Sequence, residues 1–239
     1  MTAPSRRPPR LLALGGGGFT EPAARALDDF ALSLTERERP RACLIPTATG
    51  DASAYVAAFY RTFAGRAQCS HVSLFSREPG ELRDLVLGQD LLYVGGGNTA
   101  NLLALWRLHG LDAIVREAWE GGAVLVGVSA GACALFEAGV SASFGPVAPL
   151  GGGLGLIAGA FCPHWSARRP VLLEMVAGGV PCGYGADEAA ALLFEGRELT
   201  EAVAAGDGAG AYRVDPGPVE VALEVRPLTA PEASGPAGA

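Results

Sequence analysis

The chain has 239 residues, 49% hydrophobic and only 18% charged, with a formal net charge of −7. That length and apolar fraction suit one large domain with a substantial core. The acidic balance, with no basic cluster beyond Arg6-Arg7-Pro8-Pro9-Arg10, argues against nucleic-acid binding, which needs a concentrated basic face.

Five cysteines (Cys43, Cys69, Cys133, Cys162, Cys182) are odd in number and scattered, with no C-x-x-C pair. They read as reduced thiols of a cytoplasmic protein, not as a disulfide framework or a metal site. The apolar stretch after the basic arm is short and runs into four glycines, so neither a signal peptide nor a membrane span is expected.

Residues 1–9 read as a loose arm, and 11–14 as a first buried strand that ends in Gly15-Gly16-Gly17-Gly18. A dinucleotide fingerprint would need glycine where Thr20 stands and an acid closing the unit, so no nucleotide cofactor is expected. Helical spacing follows over 21–34, a strand over 41–45 stopped by Pro46, and a helix over 52–64. Residues 69–75 alternate as a strand, with His71 an ordinary sheet-face histidine, and 81–88 suit a short helix.

Residues 90–94 form another strand, followed by Gly95-Gly96-Gly97-Asn98-Thr99. Asn98 or Thr99 can cap the next helix, which ends near His109. Three glycines before a helix start free the backbone amides to face a ligand, and the amide of Gly97 is the expected oxyanion donor. In open α/β sheets the ligand site lies at this carboxyl end of the strands.

The run 123–128 is apolar and β-branched, and it ends in Gly127-Val128-Ser129-Ala130-Gly131 before a small-residue helical pattern. Strand, serine-centred turn and helix in that order are what a nucleophile elbow requires. The turn is so sharp that residues 127 and 131 must be small. Ser129 then stands exposed at the tip, with the amide of Ala130 as the first oxyanion donor.

Residues 141–153 read as a loop over the site, and 154–161 as a strand delivering Cys162-Pro163-His164-Trp165. His164, just past a strand end and fixed by a proline, suits a general base better than His71 or His109. A helix is expected from Arg168-Arg169 to about 177. Asp187 and Glu188 precede an apolar strand at 189–194. Unpaired buried carboxylates are costly, so one of the two is expected to hold the imidazole of His164. Segments 202–205, 212–214 and 219–225 predict a small C-terminal antiparallel meander. No linker divides residues 1–228, read as a single α/β domain, and 229–239 read as a disordered tail.

Taken together, Gly95-Gly96-Gly97-Asn98-Thr99, Gly127-Val128-Ser129-Ala130-Gly131-Ala132, Pro163-His164 and Ala186-Asp187-Glu188 resemble the peptidase E family, serine peptidase family S51, which also contains cyanophycinases. The resemblance runs from the first strand to about residue 228. It implies a class I glutamine amidotransferase-like fold, a doubly wound, mostly parallel sheet with helices on both faces. It implies Ser129 as nucleophile, His164 as base and Glu188 as orienting acid, with Asp187 the alternative. Family members that cleave after an N-terminal aspartate hold its side chain with an arginine on a longer segment after the Pro-His. Here that segment is short (Trp165-Ser166-Ala167-Arg168-Arg169-Pro170) and Arg168 is the candidate equivalent, with Asn98 a second substrate-binding candidate.

The expected function is a serine exopeptidase of the dipeptidase type acting on short peptides, without metal or organic cofactor. The partners expected are a short peptide substrate and a second copy of the chain in a homodimer. One alternative is a cyanophycinase-like hydrolase of β-aspartyl-arginine units. The other is an amidotransferase-like binding module, which would want cysteine in the elbow, where Cys133 instead lies a helical turn away.

Overall fold

The computed structural model describes residues 8–76 and 82–229; the expected tail, apart from its first residue, and most of the N-terminal arm fall outside them. In chain order the first half runs β1 (Arg10–Leu14), α1 (Arg25–Ser33), β2 (Arg41–Ile45), α2 (Ser53–Phe63), β3 (Gln68–His71) and α3 (Leu82–Leu87). Next come β4 (Leu91–Val94), α4 (Thr99–His109), α5 (Leu111–Glu120), β5 (Val124–Val128) and α6 (Ala130–Leu135). The second half adds β6 (Phe136–Ser141), β7 (Ala148–Gly151), β8 (Ile157–Pro163), α7 (Trp165–Ala177) and β9 (Gly183–Ala186). It closes with β10 (Ala190–Glu195), β11 (Glu198–Ala204), β12 (Ala211–Asp215), β13 (Val219–Ala222) and β14 (Val225–Pro227).

The main sheet has the order β14-β11-β10-β1-β5-β4-β2-β3, parallel from β1 through β3. Its central strands are buried on both faces, and alternate residues feed two cores. Leu12, Leu14 and Val126 join Leu27 of α1 and Phe59 and Phe63 of α2. Leu11, Ala13 and Leu125 join Trp106 of α4 and Val115 and Trp119 of α5 on the other face. The fold is therefore α/β and doubly wound, with helices on both faces. Among the described residues no helix is long and apolar enough to cross a membrane.

A second, six-stranded sheet has the order β13-β12-β9-β8-β6-β7. One face shares the α4/α5 core through Phe136 and Phe161. The other is covered by α7, whose Trp165, Leu172 and Val176 pack on Val140, Ala160 and Val214. The C-terminal strands expected to form one meander are thus divided. β10 and β11 pair antiparallel in the main sheet, β12 and β13 extend the second, and β14 returns parallel to β11. Alternation identifies a strand but not its partner, and here consecutive strands change sheets.

This architecture aligns strand ends. β1, β5 and β4 are parallel neighbours, so the segments after Leu14, Val128 and Val94 meet at one edge. In the second sheet β8 and β9 are parallel with Pro163 opposite Ala186, so His164 and Asp187 leave side by side.

Candidate active site

Ser129 stands between β5 and α6 with φ 49° and ψ −105°, a backbone conformation that residues other than glycine seldom adopt. Its N–H donates to Leu14 O at 3.0 Å, and its carbonyl accepts from Cys133 N at 3.0 Å. The flanking glycines are demanded by contact. A Cβ at Gly127 would lie 2.7 Å from Ala132 Cα, and one at Gly131 would lie 2.3 Å from Val94 O.

His164 follows β8 in the left-handed region, φ 53° and ψ 48°, and its N–H donates to Gly15 O at 3.1 Å. Its Nε2 lies 2.9 Å from Ser129 Oγ, and its Nδ1 is hydrogen-bonded to Glu188 Oε1. An ionised Glu188 accepts from Nδ1–H, which leaves the Nε2 lone pair to take the hydroxyl proton of Ser129. Asp187 is turned elsewhere. Its Oδ1 accepts from Ser166 N at 3.0 Å and Ser166 Oγ at 2.6 Å, and its Oδ2 from Gly210 N at 3.1 Å. Asp187 thereby caps α7 from outside. That explains why α7 starts at Trp165, three residues before the arginines expected to open it.

The glycine run after β1, read from the sequence only as a poor nucleotide fingerprint, belongs to this site. A Cβ at Gly16 would lie 1.8 Å from Glu188 Oε2, and one at Gly15 would lie 2.2 Å from Ala186 O. These two positions are bare so that the histidine–glutamate pair can approach the end of the main sheet. The signal was present as consecutive glycines at a strand end; their contact partner, about 170 residues away, was not.

Gly97 has φ 135°, and a Cβ there would lie 2.2 Å from Ala48 O. The amides around it turn inward, Gly95 N to Ile45 O (3.1 Å) and Asn98 N to Ala48 O (2.8 Å). Gly97 faces a cleft of about 100 Å³ shared with Ser129, Ala130, Ser141, Ser143 and Arg168. Asn98 also borders it, but its side chain is engaged: Oδ1 caps α4 through Asn101 N at 2.9 Å, and Nδ2 donates to Ser143 O at 3.0 Å. Arg168 is half-buried, and its Nη1 donates over 3.4 Å to Val140 O.

Cys133 is 2% exposed, and burial pushes its thiol up to about 12, so it carries no thiolate near neutrality. His71 bonds Tyr60 Oη at 3.0 Å, and His109 ends α4; neither belongs to the serine–histidine–glutamate group. Among the described residues no three His, Cys, Asp or Glu side chains are grouped as a metal ion would require. A larger cleft, about 370 Å³, lies at the amino ends of the strands among Arg10, Glu36, Arg41 and Asp90. Its charges pair with one another, and no nucleophile–base pair is present there.

The family model for peptidase family S51 matches residues 11–202. The chain belongs to peptidase family S51. It is 45% identical over 212 residues to the uncharacterized peptidase YgaJ of Bacillus subtilis strain 168, covering 86% of this chain and 91% of YgaJ. The crystal structure of a peptidase from an acI-B1 actinobacterium superimposes with a TM-score of 0.66 at 19% identity, over 91% of this chain and 98% of that one. At that identity the structural likeness speaks for the fold alone. The S51 match spans every strand end that contributes to the serine–histidine–glutamate cluster.

Proposed function

We propose that this S51 peptidase is a serine exopeptidase of short peptides, with Ser129, His164 and Glu188 as its catalytic triad. The observation that carries this reading is the continuous hydrogen-bonded line from Ser129 Oγ through the imidazole to Glu188. Ser129 Oγ attacks the scissile carbonyl as His164 Nε2 takes its proton. The same nitrogen then protonates the leaving amine, and Glu188 holds the tautomer and stabilises the imidazolium. The amides of Gly97 and Ala130 receive the oxyanion, each such donor contributing about 3–4 kcal/mol in the transition state. Water then releases the acyl group by the reverse sequence.

The cleft of about 100 Å³ favours substrates with little chain beyond the scissile bond. Arg168, on its wall, is the candidate for capturing a substrate carboxylate, whether an aspartyl side chain or a terminus. The test is Ser129→Ala assayed on a dipeptide and tripeptide library. Hydrolysis is expected to fall by at least ~10⁴-fold while the fold is kept. Retention within about tenfold, roughly 1.4 kcal/mol of barrier, overturns the assignment.

A further inference from the structure

Gly95, Gly96 and Gly97 form the segment of backbone with the greatest intrinsic freedom near the site, yet an oxyanion donor is effective only when held in place before the reaction. Three peptide planes matter. The plane carrying Asn98 N–H is fixed by Ala48 O at 2.8 Å. The plane carrying Gly96 N–H is fixed by a side chain, since that amide donates to Tyr55 Oη at 3.3 Å. Between them lies the plane carrying Gly97 N–H, which has no bond among the described residues.

Tyr55 is built into this position. It stands in the first turn of α2, and its ring lies directly against Gly95. A Cβ at residue 95 would be 2.7 Å from Tyr55 Cε1 and 3.0 Å from Oη. On its other side the ring meets Phe19, with centroids 4.7 Å apart, and Phe19 in turn packs on Phe59 and Tyr93. The ring therefore has little room to swing. Burial pushes its hydroxyl up to about 12, so the oxygen stays neutral and keeps its acceptor role across the working pH range.

We propose that Tyr55 is a positioning residue for the oxyanion hole: by accepting the Gly96 N–H it fixes the adjoining peptide so that Gly97 N–H faces the tetrahedral intermediate. This rests on the serine mechanism proposed above. Tyr55 touches no reacting atom and acts only through the glycine loop. Its effect is confined to the transition state, because the planar carbonyl of the bound substrate gains little from the donor that the oxyanion needs.

The experiment is Tyr55→Phe, which keeps the ring and removes the acceptor. Steady-state kinetics on a cleaved dipeptide are normalised to titrated active serine, so that a partly folded preparation does not mimic the effect. The expected result is a kcat lowered about ten- to a hundredfold with KM within about twofold. The affinity for a peptidyl boronic acid, which forms a tetrahedral adduct with serine, is expected to fall by the same factor. Tyr93→Phe is the control, because that hydroxyl lies in the same aromatic cluster but donates to Asp28 Oδ1; its kcat is expected to stay at the wild-type value. A Tyr55→Phe kcat at the wild-type value, a loss carried by KM, or an equal loss in Tyr93→Phe overturns the positioning role. Ser129→Ala measured alongside separates the two levels. If it is inactive while Tyr55→Phe is fully active, the positioning role falls and the serine mechanism stands; if it is active, both fall.

Discussion

The serine and the histidine of the site stand on different sheets and are held by different means. Ser129 and Gly97 sit at the ends of β5 and β4 in the main sheet, each on a turn between a strand and a helix adjacent in sequence, with ties to Leu14, Ala48 and Tyr55 added from elsewhere. His164 leaves β8 of the second sheet, and Glu188 lies on the connection from β9 of that sheet to β10 of the main one. This second half is positioned by contacts between distant residues, such as Asp187 to Ser166 and to Gly210, and His164 N to Gly15 O. The proposed nucleophile and oxyanion donors thus start from local strand-to-helix turns with a few distant ties, whereas the proposed base and its acid depend on how two sheets meet.

The sharpest way to break that division is to attack the second half at its two neighbouring acids. Glu188→Gln is expected to lower kcat by ~10³–10⁴-fold, because an amide neither stabilises the imidazolium nor enforces its tautomer. Asp187→Asn weakens the cap of α7 and the tie to Gly210, so its larger effect is expected in stability, a melting temperature lower by a few degrees. Kinetics and thermal unfolding on both variants decide it; the reverse order of activity losses would make Asp187 the orienting acid.

The same division explains what could be read from the sequence. The placement of Ser129, Ala130 and Gly97 on strand-to-helix turns was legible because Gly127-Val128-Ser129-Ala130-Gly131 and Gly95-Gly96-Gly97 carry the turn signal within a few residues. Strand and helix positions in the main sheet were legible for the same reason, since alternation and helical period are local. The second sheet was not. β6 follows α6 without a break, so its residues carry no turn signal, and the strands of the expected meander look alike whichever sheet they join. The start of α7 was displaced because residue 164 is no capping type; the cap comes from Asp187, 21 positions past Ser166. The choice between Asp187 and Glu188 rested on family resemblance alone, as both flank the same strand.

Where the halves touch, a single methyl group is expected to uncouple them. Gly16→Ala places a Cβ at 1.8 Å from Glu188 Oε2, so the carboxylate must swing away from Nδ1. Gly16 is not in the left-handed region, so the substitution displaces the side chain without straining its own backbone. Activity is expected to fall about a hundredfold, in line with misplacing a catalytic group by about an ångström. A second change, Glu188→Gln, should then add far less than it does alone, because the two losses share one cause. Additive losses would place the effect of Gly16 outside the pair.

Arg168 extends the comparison to binding, since it rises from α7 on the histidine side but borders the cleft on the serine side. Its hydrogen bond to Val140 O is long, 3.4 Å, which leaves the guanidinium able to turn toward a substrate anion. Arg168→Ala is expected to raise KM by about tenfold with kcat little changed, the size of a charge-assisted bond. Loss confined to aspartyl substrates indicates side-chain recognition, and loss on every free-carboxylate peptide indicates capture of the terminus. An unchanged KM in both series removes Arg168 from the substrate.

The smallest expected effect on activity comes from the main sheet's own support, on the face under α1. Asp28 is 1% exposed, accepts from Tyr93 Oη at 3.1 Å, and its Oδ2 lies buried without a hydrogen-bond partner among the described residues. Desolvation outweighs the Tyr93 bond and the charges of Arg66 and Arg25, and raises its pKa to about 7. The sign follows from proton linkage. A carboxyl whose folded pKa lies above its unfolded value near ~3.9 holds its proton more tightly in the native state, so its contribution is full below about pH 4 and is lost as pH rises to about 7. The loss is on the order of 4 kcal/mol once Asp28 is ionised in both states. Asp28→Asn mimics the protonated acid in shape and cannot ionise. It is therefore expected to match the wild type in melting temperature near pH 4 and to exceed it by several degrees at pH 8, with kcat/KM unchanged at both. Melting curves across that range decide the point: parallel curves for the two proteins would show that Asp28 does not titrate there. A fall in kcat/KM for the variant would show instead that the local support of Ser129 and Gly97 reaches through β4 to this buried carboxyl.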